Sequence, residues 1–169
     1  MAIGGEHSDV LTFGDYVQKN LAFMEYKNGH KLSIEDTANF VRHELAEAIR
    51  KGPYMVNCLL AGFEGDKPRL YWLDYLGSVV EVRKAAHGYA EFLTSSVMDT
   101  LENNVIWILI QDVSMEEGIK IINQCLSSLQ ERFVMSQASF TVKAITKDGI
   151  KVIREAEKPQ GYWFVWNWF

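Results

Sequence analysis

The chain predicts an α+β fold, with helices packed on an antiparallel sheet, and three observations carry that prediction. Pro53 to Gly88 reads as a meander of three consecutive strands. Two amphipathic helical patterns precede it, and further helical patterns follow before a closing hairpin. At 169 residues the default is one domain.

Met55 to Gly62 is a nearly continuous apolar run between Pro53 and Gly62, short for a helix. It predicts a strand covered on both faces. Phe63 to Pro68 is polar with Gly65 and Pro68, and should turn the chain back. Arg69 to Tyr75 is rich in aromatics, as strands are. Gly77 breaks it, and Val79 to Val82 gives a short third strand.

The preceding elements follow from periodicity and punctuation. Met1 to Gly5 is small and flexible, with no strand expected before the first helix. Ser8 or Asp9 can cap that helix, in which Val10, Phe13, Val17, Leu21 and Met24 form one face. Asn28-Gly29 ends it, because glycine tolerates the left-handed backbone of a helix exit. Ser33 caps a second helix, with Glu35 and Asp36 at the positive end of its dipole. Ile34, Ala38, Val41, Leu45 and Ala48 or Ile49 make its buried stripe, and Arg50 to Pro53 closes it. The two should pack as a helical hairpin over one sheet face.

After the meander a third helix is expected from Tyr89 to Leu101, with Ala90, Leu93, Val97 and Leu101 inward. A fourth begins at Ser114, with Met115, Ile119, Ile122, Cys125 or Leu126, Leu129 and Phe133 on one face. Ser139 to Thr146 alternates as a strand, Lys147-Asp148-Gly149 turns, and Ile150 to Ile153 pairs back. The expected order is α-α-β-β-β-α-α-β-β.

Two segments stand apart. Asn103 to Ile110 is a dense apolar block between helices, and Gly161 to Phe169 is almost wholly aromatic. Only Trp72 of the five tryptophans lies outside them. Three readings stand: an assembly arm or interfacial anchor, a tail tucked into a core, or stretches foreign to the natural gene product.

Composition narrows the function classes. A net charge of −5 with no dense Lys/Arg run argues against a nucleic-acid partner. The apolar run Val105 to Ile110 is too short to span a bilayer, so no membrane partner is expected. No signal-peptide pattern is visible, and cytoplasm and nucleus are the expected compartments. Cys58 and Cys125 sit in apolar patterns and read as buried free thiols, with a disulfide as the alternative, although nothing suggests a secreted scaffold.

The search for chemistry returns no site. His7, His30, His43 and His87 form no HExxH pair, and no Cys/His spacing suits zinc. His43 reads as solvent-facing, and His87 as a local cap at a helix entry. Arg42, Glu44 and Glu47 read as a solvated helix face. Asp74 reads as a strand residue, exposed or paired across an interface. Catalytic residues: none; cofactor: none; metal ligands: none.

The residues PYMVNCLLAGFEG, LYWLDYLG and AAHGY, with TFGDYVQKNLAFMEYKNGHKLS before and SMEEGIKIINQCLSSLQERFVMSQASFTVKAITKDGI after, carry a resemblance. They closely resemble the beta subunits of the proteasome core particle, of the beta type-2 kind. The resemblance covers about Ala2 to Arg154, interrupted near Asn103 to Val113. It sets a beta-subunit-like domain at 1–154 with an atypical insertion near 103–113, and an atypical aromatic tail at 155–169. It implies an N-terminal-nucleophile hydrolase fold, an αββα four-layer sandwich. It also implies a seven-membered beta ring, with other beta subunits within and across rings and alpha-ring subunits as partners. Family members carry about four strands before the first helix, so the domain is expected to be incomplete at its N-terminus.

Active beta subunits begin with a threonine whose hydroxyl attacks the peptide and whose amine is the base. That threonine, and the aspartate and lysine that tune it, map to the region missing here. A Gly-Ser-Gly-Ser motif of active members matches Gly88, Tyr89, Ala90 and Glu91, without the serines. Arg-Asp and Ser-Gly-Gly match Arg132-Phe133 and Ser136-Gln137-Ala138. A phenylalanine cannot orient an amine or accept a proton. The expectation is a non-catalytic structural subunit that supports assembly and ubiquitin-dependent protein degradation. Its contact surface should include Tyr71, Tyr75 and the helices at 89–101 and 114–133. The rivals are a self-contained amide hydrolase, for which Met1-Ala2-Ile3 offers no nucleophile, and a truncated variant or free interaction module that does not assemble.

Overall fold

In a computed structural model of the chain, residues 1–88, 91–92, 114–132 and 140–154 are described. Strand β1 (Ala2–Gly5) leads into helix α1 (His7–Asn28) and helix α2 (Ile34–Ala48). Strands β2 (Val56–Glu64), β3 (Lys67–Leu73) and β4 (Val79–Glu81) form the meander. Helix α3 (Met115–Arg132) and the hairpin β5 (Val142–Thr146) and β6 (Gly149–Arg154) follow.

The expected meander is present, and β1 extends it to an antiparallel sheet in the order β1-β2-β3-β4. This corrects the expectation of an unstructured start. Ala2 to Gly5 pairs with Leu59 to Val56 and occupies the edge of β2 that β3 leaves open. Gly5 permits the join. Its φ is +146°, and a Cβ there would lie 2.0 Å from the Met55 carbonyl oxygen, so only glycine fits.

Helix α1 buries the stripe read from the sequence, with Phe13 and Val17 fully enclosed. Its start is a correction. Neither Ser8 nor Asp9 caps it; Glu6 holds the cap position without a side-chain bond to the helix backbone, its Oε1 accepting instead from Ser8 Oγ at 3.2 Å. Asp9 Oδ2 instead accepts from the Met55 backbone N–H at 2.9 Å, tying the helix to the entry of β2. Gly29 ends the helix at φ 72°, its N–H donating to the Glu25 carbonyl. In α2, Ser33 Oγ accepts from the Asp36 N–H at 2.9 Å, the expected cap. Thr37, Ala38, Val41 and Leu45 are buried.

Both helices lie on one face of β2 and β3. Phe13, Val17, Ala38, Val41 and Leu45 share a core with Val56, Cys58, Leu60, Tyr71 and Leu73. Burial of such side chains contributes about 1.5–3 kcal/mol each. Strand β2 is not covered evenly on both faces as expected. Val56, Cys58, Leu60 and Gly62 are buried, while Leu59, Ala61 and Phe63 between them are half-buried. The turn to β3 is tighter than expected, since Gly65 and Asp66 alone lie between the strands.

A second, smaller core lies at α3, where Ile121, Ile122 and Cys125 pack with Ala86, Leu126 and Val142. Helix α3 opens with a capping box. The Glu117 N–H donates to Ser114 Oγ at 3.3 Å, and the Ser114 N–H donates to Glu117 Oε2 at 3.2 Å. Ile122 and Cys125 are buried as expected, but Met115 is exposed and Ile121, absent from the expected face, is buried. Strand β5 lies against β2, and Lys147 Nζ joins Asp66 Oδ1 at 2.6 Å between the two hairpin turns. The mixed architecture is an α+β sandwich. The third expected helix is described only at Glu91 and Phe92, which are helical. The rest of that helix, Phe133, Ser139, the 103–113 insertion and the 155–169 tail lie outside the described residues.

Gly5→Ala is expected to destabilise the fold by more than Gly29→Ala, because a Cβ at Gly29 meets nothing within 4 Å. Both force a side chain into positive φ, at a cost of order 1–3 kcal/mol, but only Gly5→Ala also breaks the β1–β2 pairing. Urea unfolding with hydrogen exchange at Ala2 to Gly5 checks this. Equal losses in the two variants would contradict it.

Candidate functional site

Among the described residues no cluster of His, Cys, Asp and Glu could hold a metal ion, and no helix is long and apolar enough to cross a membrane. What the fold builds is surface. Helix α1 turns Phe13 and Val17 inward, and its register leaves Leu11, Tyr16, Phe23 and Tyr26 outside. Phe23 is 63% and Tyr26 88% exposed. Tyr16 is pinned, its hydroxyl donating to Glu44 Oε2 at 2.8 Å, so Glu44 bridges the helix pair rather than standing in a solvated face. Arg42 and Glu47 are exposed, as expected.

A second patch lies at the β3–β4 turn, where Tyr75, Leu76 and Val80 are exposed. Asp74 shapes it. Not a strand residue, it accepts from the Ser78 N–H at 2.7 Å and the Leu76 N–H at 3.1 Å. Its carboxylate is satisfied by the backbone of its own turn, and no interface partner is required. Gly77 completes the turn at φ 78°, where a Cβ would press on Ala46 and the Arg42 carbonyl. Tyr75 is exposed as expected for contact surface, but Tyr71 is only 7% exposed and packs under the helices. Two places along, Leu73 shares its face of β3, so the strand's alternation decides its fate. Arg69 holds this edge together. Its Nη1 lies 2.7 Å from Glu81 Oε2 and its Nε 3.2 Å from Glu64 Oε2, so it links β2, β3 and β4. The Nε contact lacks hydrogen-bond alignment, and the Glu81 pairing is the one that counts.

His87, read from the sequence as a local cap, packs its ring against the sheet. Its ring stacks on Trp72 with centroids 5.1 Å apart at 26°, and its Nε2 lies 3.2 Å from the Cys58 carbonyl oxygen. The adjacent Ala86 belongs to the α3 core. Residues 86 and 87 therefore rivet the two cores together. Burial lowers the His87 pKa, outweighing the Cys58 carbonyl and the carboxylates of Glu91 and Asp74, which favour the cation. His43 and His7 are exposed, and His30 Nδ1 faces the Lys31 carbonyl at 3.1 Å. Cys58 and Cys125 are free and buried, as expected, and burial pushes the Cys58 thiol up to about 12. A thiol so placed is inert at neutral pH.

The outward residues of α1 escaped the sequence analysis, although Phe23 and Tyr26 visibly fall off the buried stripe of that helix. Ile150, Val152 and Ile153 of β6 escaped it too. Of the contact helices expected there, Phe92 and Met115 are exposed. Gly88 and Arg132 are described, whereas Tyr89, Ala90, Phe133, Ser136, Gln137 and Ala138 lie outside the described residues.

A histidine held neutral by burial makes folding pH-dependent. Above its unfolded value of 6.5 its contribution is complete; below that, the unfolded chain takes the proton preferentially and stability falls. His87→Phe, which keeps a ring over Trp72, should lose less stability than wild type as pH drops below 6.5. Urea unfolding across that range checks this, and parallel pH curves would refute it.

Comparison with known proteins places this architecture. The family model described as proteasome subunit matches residues 1–145. A Neurospora crassa protein named "Probable proteasome subunit beta type-4" is 42% identical over 153 residues, covering 89% of this chain and 72% of its own length. The Arabidopsis thaliana proteasome subunit beta type-2-B is 37% identical over 152 residues, covering 89% and 73%. The Saccharomyces cerevisiae proteasome subunit beta type-4 is 36% identical over 156 residues, covering 90% and 75%. With the helix pair, the four-stranded sheet and helix α3 all inside the match, the chain belongs to the proteasome subunit family, on its beta side.

Proposed function

We propose that this chain is a structural, non-catalytic member of the beta ring of the proteasome core particle, of the kind named beta type-2 or beta type-4. The observation that carries the proposal is the likeness to relatives of those two names along nine-tenths of the chain. Two others support it. Aromatic and aliphatic side chains stand outside on α1, on the β3–β4 turn and on β6, as a subunit with several neighbours requires. At positions matching the motifs of active members, Tyr89 and Glu91 replace serines and Phe133 replaces the aspartate.

In this role the chain closes a chamber whose nucleophiles belong to other subunits. Its partners are beta subunits beside and across from it and an alpha subunit above. Its work is assembly and the ubiquitin-dependent degradation that the particle performs, in cytoplasm and nucleus. Residues 1–154 are the assembling unit, with 103–113 and 155–169 as additions to it.

Core particles purified from the source cells should yield peptides from both ends of this chain, at one copy per beta ring. Intact particles that contain a relative in its place and no trace of it would refute the proposal and favour a variant that does not assemble. Separately, the isolated chain should not turn over fluorogenic peptides, and measurable turnover would remove the non-catalytic assignment.

A further inference from the structure

Asn28-Gly29 does more than end helix α1. It is the only Asn-Gly pair in the sequence. An asparagine amide before glycine is open to attack by the next backbone nitrogen, because glycine has no Cβ to keep the two groups apart. Asn28 is exposed, and no hydrogen bond holds its side chain among the described residues. A Cβ at Gly29 would meet nothing within 4 Å, so the space beside the bond is open. The other described asparagines are placed differently. Asn20 Nδ2 donates to the Tyr16 carbonyl at 2.8 Å, and Asn57 Oδ1 accepts from the Tyr75 N–H at 3.1 Å. Asn39 and Asn123 lie inside α2 and α3, followed by Phe40 and Gln124. One restraint stands against reaction at Asn28. The Gly29 N–H donates to the Glu25 carbonyl at 2.9 Å, which keeps the proton on the nitrogen and holds Asn28 in helical backbone, out of line for ring closure. That restraint sits in the last turn, where helices fray.

We propose that Asn28 is a deamidation site gated by opening of the last turn of α1, and that the reaction then keeps that turn open. In the opened turn the Gly29 backbone nitrogen gives its proton to solvent base and attacks Asn28 Cγ. The N–Cγ bond forms, the Cγ–Nδ2 bond breaks, and the amide leaves as ammonia with a proton taken from water. A water molecule then opens the cyclic imide at either carbonyl, leaving aspartate or isoaspartate at position 28. Both products put a carboxylate at the negative end of the helix dipole, where it is unfavourable, with Lys27 as the cation of that turn. Isoaspartate also lengthens the main chain by a methylene, so the Gly29 N–H no longer meets the Glu25 carbonyl in register. Tyr26, 88% exposed, stands on this turn, and the reaction therefore loosens part of the outer face of α1.

Timed incubation of the full chain in mildly alkaline buffer tests this, with peptide mass spectrometry reading aspartate and isoaspartate at each asparagine. In the folded chain position 28 should convert ahead of Asn20, Asn39, Asn57 and Asn123, and faster still in urea. Tyr26→Gly weakens the last turn while removing an exposed side chain, and should speed conversion at position 28 on the order of 5-fold. Asn28→Asp, which carries the product's charge from the start, should raise hydrogen exchange at the Gly29 amide about 2- to 5-fold while amides of α2 stay unchanged. Three results would overturn the proposal: conversion at position 28 no faster than at Asn39 in the folded chain; equal rates at position 28 in wild type, Tyr26→Gly and urea, which would mean that the turn gates nothing; or unchanged exchange at Gly29 in Asn28→Asp, which would mean that the product leaves the turn closed.

Discussion

Everything else rests on one packing contact, the face of the α1–α2 pair against β2 and β3. Phe13, Val17, Val41, Leu45, Val56, Cys58 and Leu73 are its fully buried members, and they come from four successive elements. None of those elements can bury its apolar side alone. The contact fixes the rotation of both helices about their axes, and so decides what they show on the outside. Leu11, Phe23 and Tyr26 are exposed because Phe13 and Val17 are not. The same contact sets strand register. With Tyr71 and Leu73 turned toward the helices, Trp72 turns to the other side and becomes the platform for His87.

Among the described residues, four links join the second core to the first. The His87–Trp72 stack, the bond to the Cys58 carbonyl, the β2–β5 contact and the exposed Lys147–Asp66 pair carry the connection. The ion pair contributes little, being solvent-exposed at both ends. The rivet at residues 86 and 87 matters more, because the short stretch that holds Ala86 under α3 also holds His87 on the sheet. The second core, with four buried members among the described residues, is then stabilised by its attachment to the first.

What the sequence discloses here divides along a physical line. Local signals were legible. Ser33, Gly29, Ser114 with Glu117, and the Lys147–Asp148 turn each specify a neighbour a few residues away, and each does in the fold what its type favours. Periodicity on α1 and α2 was legible for the same reason. Long-range pairing was not. Ala2 to Gly5 has no strand signature, since two of its four residues are glycines, and becomes one only because β2 offers an open edge. Asp9 resembles a cap but bonds 46 residues away. His87 before Gly88 resembles a cap too, and its partners on β2 and β3 are invisible from its neighbours. The family resemblance reached the fold where residue patterns stopped at fold class, because it carries that long-range information from chains in which it has been selected.

Surface function follows the same division. Tyr71 and Tyr75 are four residues apart in one aromatic run, and composition gives no reason to separate them. The strand ends at Leu73, and Asp74 then folds the backbone onto its own carboxylate. Tyr71 therefore stays in the alternation that faces the helices, while Tyr75 leaves it and stands in solvent. An aromatic residue offers contact surface only where the backbone stops burying it, and here a single aspartate marks that point. Exposed apolar side chains on α1, on this turn and on β6 lie on three separate elements of the fold. Each such patch invites association. A subunit that assembles with others meets them through such patches.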